Sequence, residues 1–113
     1  MTSLEDLFEL GRLVRPSDSQ PNLIHLVRAL AQLAGVTDLP HAPAVDELTA
    51  LIGPASHLIF VLLDGLAMNI VRRLPRESFI SRNLKRELHA TFPSTTACAL
   101  TSVARPRIRL SMR

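Results

Sequence analysis

Two short stretches of this chain put chemically capable residues at positions where chemistry is often done. The first is HLIFVLLDG, residues 57–65, a continuous apolar run that ends in Asp64 and Gly65. The second is FPSTTACALTSVA, residues 92–104, where a proline-containing turn delivers Ser94, Thr95 and Thr96 to the start of a run of small residues. A carboxylate such as Asp64 at the carboxyl end of a buried parallel strand stands at the sheet edge where ligands bind, and it can hold a divalent cation. Its structural alternative is an ordinary turn, which strand-Asp-Gly also forms. A helix beginning near Thr96 presents free N–H groups and the positive end of its dipole, an arrangement suited to phosphate. A hydroxyl placed there can attack phosphorus if a metal lowers its pKa. The structural alternative for Ser94, Thr95 and Thr96 is helix capping.

Positioning these groups requires a strand ahead of Asp64 and a helix behind Thr96. Residues 57–63, rich in Ile, Val and Leu, read as a strand buried on both faces of a parallel sheet. Met68, Ile70, Val71 and Leu74 then suit a helix stopped by Pro75. Arg72 to Glu87 holds six basic and two acidic residues and reads as a solvated helical face. A second strand is expected over Glu87–Phe92, followed by a small-residue helix over Thr96–Ala104. Upstream, Ser3 and Asp6 have capping-box spacing ahead of a short helix running to about Val14. RPSDSQP, residues 15–21, is a turn-rich connector. Asn22 caps a helix whose apolar stripe is Leu23, Leu26, Val27, Leu30 and Leu33, ending before Gly35. Ala44–Ile52 makes a third helix, closed by Gly53-Pro54.

Taken together, the order strand-Asp64-Gly65, helix, connector, then Phe92-Pro93-Ser94-Thr95-Thr96 before an alanine-rich helix resembles the opening of type I phosphodiesterases and nucleotide pyrophosphatases of the alkaline phosphatase superfamily. The upstream segment RPSDSQPNLIHLVRALAQLAG is similar to leader regions of bacterial members, so that the likeness covers residues 15–104. It implies an α/β fold, the N-terminal part of an alkaline-phosphatase-like α/β sandwich with a helical leader. The corresponding divisions are a leader over residues 1–55, the start of the catalytic domain over 56–104, and an aberrant Arg-rich tail over 105–113. It further implies that Asp64 is a metal ligand and that a threonine is both nucleophile and metal ligand. Counting back from the place of the family's Thr-Gly pair points to Thr96, with Thr95 second and Thr91, which precedes Phe92-Pro93, third. The cofactors implied are two divalent ions, zinc by family habit. The substrate implied is a small phosphate ester or nucleotide.

The departures bear on activity. Arg105 and Pro106 stand where the family has Thr-Gly, and its remaining Asp and His ligands would fall beyond Arg113. Two-metal hydrolysis needs ions roughly 3.5–4 Å apart, and one carboxylate with one threonine cannot hold them. The expectation is therefore a truncated hydrolase, inactive alone, whose exposed strand favours self-association. The rival expectation is a non-catalytic helical interaction module. None of the four histidines has zinc-site spacing with another: His25 and His57 lie within apolar segments, His41 in a proline-rich loop and His89 in the expected second strand.

Composition sets the outer limits. The chain has 113 residues, 47% hydrophobic and 20% charged, which suits one folded unit. The net charge of +3 comes from the tail: removing four arginines of the last nine residues leaves nine basic against ten acidic side chains. Together with an aromatic content of 4%, that speaks against a nucleic-acid partner. The tail, RPRIRLSMR, has no compositional counterpart in the body and reads as a frame-shifted or misjoined ending. Acids near the start argue against a secretion signal, and one cysteine, Cys98, excludes an internal disulfide and reads as a small buried hydrophobe. The apolar stretch from His57 to Val71, interrupted by Asp64, falls short of the roughly 20 residues of a membrane span. A cytoplasmic location is expected.

Overall fold

Caps written into the sequence decide where the first helices begin. A computed structural model describes residues 2–13, 20–90, 100, 101, 103 and 104. Helix α1 is Leu4–Glu9. Ser3 Oγ accepts the Asp6 N–H at 3.1 Å, and Asp6 Oδ2 accepts the Ser3 N–H at 2.8 Å, so two otherwise unsatisfied donors are paired. The helix ends well before Val14 because the chain turns at Gly11, whose φ of 69° lies in the left-handed region. None of its residues is buried.

Helix α2 is Leu23–Leu33 and α3 is Pro43–Ile52. Asn22 caps α2 through its side-chain oxygen, which accepts the His25 N–H at 3.1 Å. In α3 a proline occupies the first turn, where its missing N–H costs no helical hydrogen bond. The two helices pack on each other around Ala29, Val45 and Leu48, with Leu26, Ala42 and Leu88 against that centre. Ala29, with none of its surface exposed, has only a methyl group to offer, which lets α3 approach closely and bring Val45 and Leu48 into contact. The buried face of α2 is wider than the stripe expected from its leucines. Ile24, His25, Val27, Arg28 and Ala29 are buried, while Leu23, Leu26, Leu30 and Leu33 are half-buried.

The remaining helices are short: α4 is Met68–Val71 and α5 is Phe79–Asn83, the latter capped by Ser78. Leu100, Thr101, Val103 and Ala104 are also helical, within the span where a small-residue helix is expected. Residues 84–89 form an extended strap over the α2–α3 pair. Leu88 packs into the core, Arg86 Nε meets Glu47 Oε1 of α3 at 3.0 Å, and Glu87 pairs with Arg72 at 3.0 Å. At the strap's end the Leu23 N–H donates to the His89 carbonyl at 3.0 Å and the His89 N–H donates to the Pro21 carbonyl at 3.1 Å. These bonds make a parallel bridge between Asn22 and His89.

The expected α/β sandwich is contradicted. Among the described residues the chain is helix-dominated and has no sheet, its β pairing being confined to that isolated bridge. The run expected to be a buried strand has no regular secondary structure and no ladder, with Ile59 90%, Val61 67% and Leu63 57% exposed. The second expected strand, Glu87–Phe92, is represented in its described part by the strap and the His89 bridge. The physical reason is that β-rich apolar composition expresses fitness for a half-buried or buried pleated surface and supplies no neighbouring strand. The helices upstream have already turned their apolar faces toward each other. Among the described residues no helix is long and apolar enough to cross a membrane.

Candidate metal and phosphate site

Asp64 closes the exposed apolar run. The chain turns there because Gly65 adopts φ 71°, a conformation that L side chains rarely take. A Cβ at Gly65 would meet nothing within 4 Å, so it is the backbone angle, not crowding, that calls for glycine. Asp64 is exposed at this turn. Half-buried Leu66 and Met68 follow, and α4 begins at Met68 without a side-chain cap.

Thr96 and its alternatives Thr95 and Thr91 lie outside the described residues, as do Ser94, Cys98 and the Arg-rich tail. Of the expected site, then, the structure places Asp64. Among the described residues no group of three or more His, Cys, Asp and Glu is arranged to hold a metal ion. Asp64 by itself, a single exposed carboxylate, does not make a two-zinc centre.

The histidines are divided between two environments. His41 and His57 are exposed. His41 Nε2 stands 3.2 Å from Asp46 Oδ2, on groups open enough to solvent that the contact contributes little. His25 is 1% exposed, and its Nδ1 accepts the Asn22 N–H at 3.2 Å. His89 is half-buried, and its Nδ1 is shielded from solvent with no hydrogen-bond partner. Both meet at the start of α2. Sequence reading sets His25 within an apolar segment, packed or at an edge, but misses its capping role. The signal was available: Asn22 and His25 have capping-box spacing, with histidine where Glu or Gln is usual. Near the amino terminus, the Ser3 backbone N–H and then the Ser3 hydroxyl hold the Asp6 carboxyl below its ordinary value.

Compared with protein-family models, with curated proteins and with solved structures, the chain matches none.

Proposed function

We propose that residues 57–96 carry one part of a metal-dependent phosphoric-ester hydrolase site, of the kind found in type I phosphodiesterases and nucleotide pyrophosphatases. Thr96 is the nucleophile and Asp64 one metal ligand. The structural observation that supports this assignment is the exposed position of Asp64 on a glycine turn. The paired motifs Asp64-Gly65 and FPSTT supply the chemical types. In the reaction, the Thr96 hydroxyl oxygen bonds to phosphorus as the ester bond to the leaving oxygen breaks, and the hydroxyl proton ends on that oxygen. Water then cleaves the phosphothreonine and restores the alcohol. Two divalent ions, zinc by family habit, belong to this assignment. Their remaining ligands must come from outside the described residues.

The test is hydrolysis of bis(p-nitrophenyl) phosphate with added zinc or manganese. Residues 1–113 alone are expected to show no turnover. A protein that carries these residues together with the remaining metal ligands is expected to be active, and Asp64→Ala and Thr96→Ala should each lower its kcat/KM by about 10³-fold or more. Turnover indifferent to both changes contradicts the assignment.

A second function is favoured by a different observation. Among the described residues the chain is helix-dominated and leaves residues 59–63 exposed and uncharged, which suits a non-catalytic interaction module that pairs with a second copy of itself. Association that survives Asp64→Ala but is lost in Ile59→Lys distinguishes the module from the hydrolase.

A further inference from the structure

Basic and acidic side chains are segregated along the chain. Residues 1–56 hold three basic and seven acidic side chains, whereas residues 57–104 hold six basic and three acidic. All six of those basic residues fall between Arg72 and Arg86, with Glu77 the one acid among them. The segment reads in sequence as a solvated helical face, but it is no single helix. Between α4 and α5 the chain turns after Pro75, whose carbonyl accepts the Ser78 N–H at 3.0 Å, and beyond α5 it becomes the strap. Both ends are fixed to the body: Val71 is buried just ahead of it, and Leu88 packs against the core just behind. Across the neck, Arg72 Nη2 donates to both carboxylate oxygens of Glu87, at 3.0 and 3.2 Å. Residues 73–86 are therefore a loop closed at its neck, with most of its side chains exposed.

The loop exposes groups of two kinds. Arg73, Arg76, Arg82 and Lys85 are exposed, and among the described residues none of the four enters an ion pair. Glu77 subtracts one charge from the four. Phe79, at the first turn of α5, is 80% exposed, and Leu84 is 49% exposed. Arg82 follows Phe79 by three residues in α5 and so shares its side of the helix. Apolar groups lose by facing water, while guanidinium and ammonium groups gain by meeting phosphates. A bilayer of anionic phospholipid satisfies both demands, since its phosphates lie at the plane and its hydrocarbon beneath. Nucleic acid satisfies only the charge, because one phenyl ring makes no stacking platform for successive bases.

We propose that the loop over residues 73–86 is a docking surface for anionic phospholipid membrane. Arg73, Arg76, Arg82 and Lys85 meet the headgroup phosphates, and Phe79 enters the acyl boundary. The loop makes this contact without Asp64, Thr96 or the run 59–63.

The experiment is co-sedimentation of the 113-residue chain with vesicles of phosphatidylcholine alone and of phosphatidylcholine mixed with phosphatidylserine. Binding is expected to the mixed vesicles and not to the neutral ones, and it should weaken as salt rises, because ions screen the attraction. Arg76→Glu combined with Arg82→Glu should lower the partition coefficient about tenfold or more, and Phe79→Ser should lower it about fivefold. Both variants keep the four arginines of residues 105–113, so affinity unchanged in both assigns the attraction to those residues and overturns the proposal. Equal binding to both kinds of vesicle, or to neither, overturns it as well. So does a DNA duplex bound as tightly as the mixed vesicles and indifferent to Phe79→Ser. Amide exchange of the unmodified chain decides the matter even if a variant fails to fold. Slowing at residues 76–84 on mixed vesicles supports the loop, and slowing confined to residues 105–113 refutes it.

Discussion

The α2–α3 pair with its strap and the run from His57 to Gly65 are both rich in apolar residues, yet they meet opposite fates. In the first region every device acts between residues the chain itself supplies. Asn22 and His25 cap α2, Ala29 admits Val45 and Leu48, and Leu88 arrives on the strap with Arg86 tied to Glu47. In the second region Ile59, Val61 and Leu63 are exposed, although their composition is the more hydrophobic of the two. Hydrophobicity creates a demand for burial; complementary neighbours at the right spacing satisfy it. The run's high apolar content therefore marks unmet demand, and Asp64 sits at its end.

That contrast can be broken by mutation. Leu48→Ala should destabilise the fold by about 2–5 kcal/mol, enough to abolish cooperative unfolding in a core this small, whereas Leu62→Ala should change stability by no more than about 0.5 kcal/mol. Urea unfolding measures both, and comparable losses would erase the distinction between the regions. A charge in the run should act on association in place of folding. Ile59→Lys is expected to weaken concentration-dependent self-association roughly tenfold while leaving the helical circular dichroism unchanged, as sedimentation across a concentration series would show.

The smallest effect belongs to α1, a helix with no buried residue. Since Ser3 holds the Asp6 carboxyl below its ordinary value of 3.8, the capping box is fully present above pH 3.8 and is lost as pH falls through the lower folded value. Amide shifts of Asp6 and Leu7 should follow that loss. In Asp6→Asn they should be flat over the same range.

Much of the helical region was legible in the sequence because its signals are local. Ser3 with Asp6, Asn22 ahead of its helix, and the proline and glycine around α3 specify helix ends within a few residues of each other. The early end of α1 was missed because Gly11 halts a periodicity that its neighbours would have continued. The α/β expectation failed for a non-local reason: HLIFVLL is written as a strand, but a strand exists through its hydrogen-bonded neighbours. Of the candidate site, Asp64 on its turn was legible from Asp-Gly. Thr96 remains a matter of sequence resemblance. The reciprocal cap of α2 was half-legible, since spacing predicts the Asn22 cap, whereas burial of His25 depends on how α2 packs.

Backbone hydrogen exchange of the 113-residue chain tests the contrast most directly. The account predicts strong protection across Leu26–Leu33 of α2 and the second half of α3, protection of the His89 amide, and rapid exchange throughout residues 58–63. Protection of residues 58–63 equal to that of α2 in dilute, monomeric protein would contradict it.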